Sequence, residues 1–284
     1  MKTLEQYKLL NALRPFSLVV AVIACGLGIL IAWNEGYTHG GIAILIMLGG
    51  ILAQSGINLI NDLEDLALIP EEFQQQQALK NRIHRNVKVG IWCFVVAALI
   101  ACYLVYLQGW QLLMLILVSG LLSLSYNIGP INFKQRGLAI IQVFLLMGIL
   151  MVQGAYLAMT GHFSYSVLLH SIPASLLVSL VLLSNELRDW ETDTRDNLKT
   201  LTVRIGYENG VRLYWGLVLL AYLLAGLFFM NGYIAHFYWL LIPLPLLIPI
   251  NRYLNADERP QLTPLTGRFF FLFGVSYMLT LGIH

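Results

Sequence analysis

The chain has 284 residues, 58% of them hydrophobic and only 11% charged. Soluble domains carry roughly 25% charged residues. The composition therefore excludes an ordinary soluble protein and predicts an all-α, polytopic membrane protein, because lipid leaves the backbone few alternatives to helices. The net charge of +2 gives no reason to expect nucleic-acid binding, and no protein partner can be inferred.

A helix needs about 20 mainly apolar residues to cross the hydrocarbon core. Nine stretches qualify or nearly do, within a single domain spanning residues 1–284: Phe16–Trp33, Gly41–Ile60, Val89–Leu107, Gln111–Tyr126, Leu138–Met159, Ser166–Ser184, Leu213–Met230, His236–Tyr253 and Leu265–Ile283. The fourth is short, and Pro243, Pro245 and Pro249 interrupt the eighth. The start of the chain is polar, contains Arg14-Pro15 and lacks an evident signal-peptide cleavage site. Cys25, Cys93 and Cys102 all lie in apolar runs and read as small packing residues. Gln74–Gln77 reads as a polar loop, with a lid over the site as one use for it.

Charge supports the count. Alternate connections, beginning with the N-terminus, hold all 17 Lys and Arg; the other set has none, and Glu35 is its one acid. By the positive-inside rule the N-terminus and the charged connections are cytoplasmic and the C-terminus is outside. This places the chain in a membrane of the bacterial inner-membrane type.

Two polar segments carry the chemistry. Asn58, Asn61, Asp62 and Asp65, followed by Glu71, lie at the charged end of the second span. Asn185, Arg188, Asp189 and Asp193, followed by Lys199 and Arg204, lie at the same end of the sixth. Asn58 and Asp62, and Asp189 and Asp193, are spaced i, i+4 and share a helical face. Carboxylates on one face repel unless a cation joins them. Mg²⁺ takes hard oxygen ligands, commonly one or two carboxylates completed by phosphate oxygens. Arginine forks hold further phosphate charge. Solvated charge runs and interhelical hydrogen bonding by Asn58 are the plainer readings.

Asn58-Leu-Ile-Asn61-Asp62-Leu-Glu-Asp65 and Asn185-Glu-Leu-Arg188-Asp189-Trp-Glu-Thr-Asp193 resemble the two Asp-rich motifs of the UbiA superfamily of intramembrane prenyltransferases. Arg188-Asp-Trp-Glu-Thr-Asp193, followed by Lys199-Thr200-Leu-Thr-Val-Arg204-Ile-Gly206, is most similar to the 1,4-dihydroxy-2-naphthoate polyprenyltransferases of menaquinone synthesis. Leu13-Arg14-Pro15 and Tyr126-Asn-Ile-Gly129-Pro130 agree. The chain departs at Ile69, Glu186 and Ile140, where the superfamily or this branch usually has Asp, Asn and an acid respectively.

The resemblance implies nine helices around a central cavity and transfer of a prenyl group from a polyprenyl diphosphate to a small aromatic acceptor in the bilayer. It also implies Mg²⁺ as cofactor, held by Asp62, Asp65, Asp189 and Asp193 with Glu71. Asn58, Asn61, Lys134, Asn185, Arg188, Lys199 and Arg204 would meet the diphosphate, and the ring of Tyr126 or Tyr156 would stabilise an allylic cation. Three rival classes are a cation transporter, a CDP-alcohol phosphotransferase and a catalytically silent relative. A transporter would place its acids nearer the bilayer midplane. A phosphotransferase would carry its acids with Asp-Gly and Ala-Arg in one motif, and this chain has no such run. The departures at Ile140 and around Lys199 keep the silent relative as the alternative to an enzyme.

Overall fold

The computed structural model describes residues 5, 7–63, 74–126 and 132–282, the side chains of 74–76 excepted. Nine long helical segments follow one another: α1 (Pro15–Asn34), α2 (Gly40–Asn61), α3 (Gln74–Gln108), α4 (Trp110–Leu124), α5 (Ala139–Thr160), α6 (Tyr165–Arg188), α7 (Tyr207–Met230), α8 (Phe237–Leu254) and α9 (Leu262–Gly282). Eight are long and apolar enough to cross a membrane, and α4 is the shorter ninth. The described residues contain no strand. The protein is an integral membrane protein.

The segments alternate in direction, and cross-helix bonds identify the two ends. Arg14, just before α1, reaches Asp62 at the end of α2. Phe16 packs against Gly267 near the start of α9, and Thr263 of α9 bonds Asn185 near the end of α6. The Tyr207 hydroxyl, at the start of α7, donates to the Leu254 carbonyl at the end of α8. These termini form one end of the bundle. At the other end, Asn34 of α1 donates to the Leu281 carbonyl of α9, and Gln108 of α3 donates to the Ala158 carbonyl of α5. All the described lysines and arginines belong to the first end, so the charge partition corresponds to a real division of the bundle.

α1, α6 and α9 form its centre. α6 is buried along most of its length, and Phe269, Phe270, Phe273 and Tyr277 of α9 are fully enclosed. Lipid offers no hydrophobic drive between helices, so close approach matters, and small residues permit it. A Cβ on Gly28 of α1 would lie 2.4 Å from the Val152 carbonyl of α5, and one on Gly148 would lie 2.2 Å from the Ser175 hydroxyl of α6. Gly148 falls in a π-helical stretch, Phe144–Leu150, that interrupts α5. α3 and α4 are peripheral, with Trp92, Leu99, Tyr106, Leu121 and Leu124 exposed as expected of a lipid-facing surface.

Several boundaries differ from the sequence reading, among them the start of α7, at Tyr207 rather than Leu213. α3 begins at Gln74 rather than Val89, so Gln74–Gln77 opens a helix instead of forming a loop. Leu79, Ile83 and Val87 repeat every four residues on one face and pack with Tyr7; this amphipathic turn pattern is too polar for a hydropathy criterion to detect. α6 continues past Ser184 through Asn185 and Glu186 to Arg188. α8 is broken as its prolines require, into 3₁₀ pieces Phe237–Leu241 and Leu244–Leu246 and a short α-helix, Leu247–Leu254.

Candidate active site

The first motif lies where α2 ends. Asp62 caps the helix C-terminus and is 3% exposed. The Arg14 guanidinium donates to its Oδ1 at 2.9 Å. Arg14 adopts a left-handed conformation, φ 49°, immediately before Pro15. A non-glycine residue there is strained, and the following proline further restricts its backbone. The ion pair with Asp62 is one contact that holds it in place. One turn earlier, buried Asn58 donates to the Leu13 carbonyl at 2.7 Å and the Ser17 hydroxyl at 2.6 Å, and accepts from Gln54 at 3.3 Å. These bonds tie the head of α1 to the tail of α2. Asn61 is half-buried beside them. Asp65 and Glu71 lie outside the described residues.

The second motif straddles the end of α6. Asp189 sits between α6 and a short helix, Trp190–Arg195. The Asp193 amide still donates to the Asp189 carbonyl at 2.8 Å, so the helical i, i+4 relation survives the junction. Arg188 grips Asp189 with two bonds, Nε to Oδ1 at 2.8 Å and Nη2 to Oδ2 at 2.6 Å. Burial and the negative charge of Asp189 raise the Asp193 carboxyl above the usual carboxylate range, while the Lys134 charge pulls the other way. Lys134 therefore belongs to the field of this motif. Arg204 does not point a free fork at it: its Nε and Nη2 donate to the carbonyls of Lys199 and Gln135, at 3.0 and 2.8 Å. The Lys199 amide meets the Gln135 side chain at 3.3 Å. Arg204 and Lys199 thereby join the motif to the segment before α5 that contains Lys134.

The helix starts matter more than the sequence indicated. The Thr263 hydroxyl of α9 donates to Asn185 at 2.9 Å and accepts from Arg188 at 3.3 Å. Arg259, almost buried, donates to both oxygens of Glu191 at 2.8 and 2.9 Å and lies 4.2 Å over the Tyr207 ring. Glu186, which occupies the usual second Asn position, accepts from the Thr202 amide at 3.1 Å and so braces the loop. The sequence reading places no site residue at Arg14 or anywhere after Arg204. A signal was present: Arg-Pro occurs twice, at 14–15 and 259–260, each time just before a span.

Tyr126 stands half-buried at the charged end, its carbonyl accepting from the Lys134 amide at 3.2 Å. Tyr156 is at the opposite end, fully buried, with its hydroxyl donating to Glu35. That distance along α5 removes it as a stabiliser of a cation formed at the acidic motifs. Ile140 is buried near the start of α5, where its carbonyl accepts from Ser179 at 3.4 Å.

Among the described residues, no three acidic, histidine or cysteine side chains form a ready-made metal cage. The donor set still fits a hard divalent ion completed by substrate. Mg²⁺ is usually held by one or two carboxylates plus phosphate oxygens, and Asp62, Asp189 and Asp193 are carboxylates at one end of the bundle. Two cavities elsewhere, of about 220 and 80 Å³, are lined by no motif residue.

An alternating bundle with two arginine-countered acidic motifs at one end defines a polytopic membrane protein built to handle a charged head group at one face. A family model described as the UbiA prenyltransferase family matches residues 19–274, and the chain belongs to that family; it is a prenyltransferase. It is 27% identical over 274 residues to UbiA prenyltransferase domain-containing protein 1 of Xenopus tropicalis, covering 94% of this chain and 79% of that protein. It is also 27% identical over 268 residues to the 1,4-dihydroxy-2-naphthoate octaprenyltransferase of Escherichia coli (strain K12), covering 88% and 86%. The fold matches a UbiA homolog from Archaeoglobus fulgidus bound to GPP and Mg²⁺, at TM-score 0.62 and 16% identity over 96% of this chain and 99% of that one. A second structure of that homolog, bound to DMAPP and Mg²⁺, gives TM-score 0.61 at 18% identity over 98% and 100%.

Proposed function

We propose that this protein transfers a prenyl group from a polyprenyl diphosphate to an aromatic acceptor of the 1,4-dihydroxy-2-naphthoate type, with Mg²⁺, at the cytoplasmic face of a bacterial inner membrane. The observation that carries the reading is the repeated pairing of a motif aspartate with an arginine at one end of the bundle, Arg14 with Asp62 and Arg188 with Asp189. The printed name of the Escherichia coli relative supports the acceptor class. The GPP, DMAPP and Mg²⁺ bound to the Archaeoglobus fulgidus homolog support the donor and the metal.

Asp62, Asp189 and Asp193 would hold the Mg²⁺, joined by Asp65 and Glu71 of the first motif. When bound, the metal supplies Lewis-acid stabilisation of the leaving diphosphate. The chain's own residues do the rest. Arg188, Lys134 and Lys199 place positive charge around the diphosphate, and such preorganised charge is commonly the largest single catalytic contribution. Arg204 acts mainly by fixing the loop that carries them. Asn58 fixes the helix end that carries Asp62, Asn185 the one that carries Asp189, and Asn61 is a further neutral oxygen for the diphosphate or its metal. Tyr126, at the same end, presents an aromatic face to positive charge developing on the allyl group.

The test is replacement of Asp62 or Asp189 by Ala, followed by assay with Mg²⁺, labelled prenyl diphosphate and a panel of dihydroxynaphthoate and hydroxybenzoate acceptors. Loss of about a thousandfold or more in transfer is expected, with helical content and membrane insertion retained. Full activity in either variant would refute the assignment. The second reading, a catalytically silent relative that binds lipid, is favoured by the buried apolar Ile140. It predicts diphosphate binding without product from any acceptor.

A further inference from the structure

The end of the bundle opposite the acidic motifs carries a feature that prenyl transfer does not use. A cavity of about 220 Å³ opens between the start of α6 and the end of α7, lined by Tyr165, Ser166, Leu169, His170, Phe228 and Tyr233. Three of its rings meet edge to face: His170 with Phe228 at 5.5 Å, His170 with Tyr233 at 6.1 Å, and Phe228 with Tyr233 at 6.0 Å between centroids. His170 is 8% exposed. Its Nδ1 lies 3.5 Å from the Tyr277 hydroxyl, which comes from the closed side of the wall. Its Nε2 makes no hydrogen bond to another described residue and is not sealed from the cavity, so this wall offers one accessible polar atom among rings.

We propose that this cavity is a second binding site, for a single neutral aromatic ring bearing one hydroxyl or carbonyl oxygen. Size supports this: an apolar cavity of about 150 Å³ suffices for benzene, so 220 Å³ admits a substituted or fused ring. Wall chemistry supports it too, since edge-to-face geometry is how aromatic side chains receive another ring. Depending on tautomer, Nε2 can donate to a carbonyl or accept from a hydroxyl. No Asp, Glu, Lys or Arg lines the cavity, which disfavours a charged ligand in a partly desolvated site. Tyr165 and Tyr233 are largely exposed at the rim, and Met230 and Phe229 beside them are exposed apolar residues. The entrance therefore sits at a membrane boundary, where a ring carried on an apolar tail would arrive.

The test uses the full chain in lipid nanodiscs with diazirine-tagged 1-naphthol and tagged naphthalene as probes. Labelled peptides are identified by mass spectrometry, and affinities come from competition with the untagged compounds. Both probes should label the peptides carrying Tyr165–His170 and Phe228–Tyr233. Ser166→Phe, at an exposed position that can fill the cavity without burying polar atoms, should weaken both at least tenfold. His170→Phe should weaken 1-naphthol about fivefold, the worth of one hydrogen bond of about 1 kcal/mol, and leave naphthalene unchanged. Asp62→Ala should alter neither, which separates this site from the acidic motifs. The proposal is overturned if these peptides remain unlabelled, if Ser166→Phe leaves labelling intact, or if His170→Phe affects both probes equally. Displacement by tetramethylammonium would instead assign the cavity to quaternary ammonium groups.

Discussion

The two acidic motifs have nearly the same residue spacing but are held in place differently. Asp62 is embedded: its side chain is 4% exposed, it terminates a long helix, and its arginine arrives from the neighbouring helix α1. Asp189 is 44% exposed, sits at a junction between two helices, and takes its arginine from the adjacent position in sequence. The first is fixed by burial in the bundle. The second is fixed by a polar mesh drawn from the C-terminal third, with Thr263 on Arg188 and Asn185, Arg259 on Glu191, and Thr202 on Glu186. Burial makes the first motif expensive to disturb. The mesh makes the second adjustable, since each of its bonds is worth only about 1 kcal/mol.

The contrast predicts unequal consequences for matched changes. Arg14→Ala removes the Arg14 cation from the buried Asp62 carboxylate. Allowing for the half-exposed guanidinium, it should destabilise the protein by about 1–3 kcal/mol, seen as a lower thermal transition in detergent and with transfer activity falling alongside. Arg188→Ala should change that transition far less while still reducing transfer. Equal losses of stability would erase the distinction.

Thr263→Val tests the mesh. It removes the hydroxyl joining Arg188 to Asn185 while keeping the shape. About tenfold loss in kcat/KM is expected, the equivalent of one to two hydrogen bonds, and Thr263→Ser should restore it. A change in fold stability without a change in kcat/KM would reduce Thr263 to a packing residue.

The smallest effect concerns pH. Asp193 titrates above the usual carboxylate range because of burial and the Asp189 charge. In the window between its ordinary and raised values, the folded protein binds more protons than the unfolded chain. Stability contributed by protonated Asp193 is therefore present below that window and is lost as pH rises through it. Metal-free protein should show a slight fall in thermal transition over this range, and Asp193→Asn should flatten it. A rise with pH would contradict the assigned environment.

Much of the fold was legible in the sequence because its signals are long. Nine apolar stretches and a one-sided distribution of Lys and Arg are averages over many residues, so individual boundary errors did not disturb them. The i, i+4 relation of Asp189 and Asp193 was also legible, since helical geometry persists across the junction. What the sequence concealed depended on single contacts. The start of α3 rests on Leu79, Ile83 and Val87 meeting Tyr7, which no hydropathy window reports. Tyr156 is one of the two rings expected to face an allylic cation, yet α5 carries it to Glu35 at the far end. Arg259 and Thr263 lie in a stretch to which the sequence reading assigns no site residue, and their role appears only when α9 packs beside α6.

The most direct measurement is a double-mutant cycle on binding of an unreactive S-prenyl thiodiphosphate in the presence of Mg²⁺, with Asp62→Ala, Asp189→Ala and the pair, followed by calorimetry. If both motifs hold one diphosphate, each single change should remove most of the affinity and the double change should add little more, a strongly non-additive result. Independent, additive losses, or undiminished binding in either single variant, would mean that the two motifs do not share a ligand.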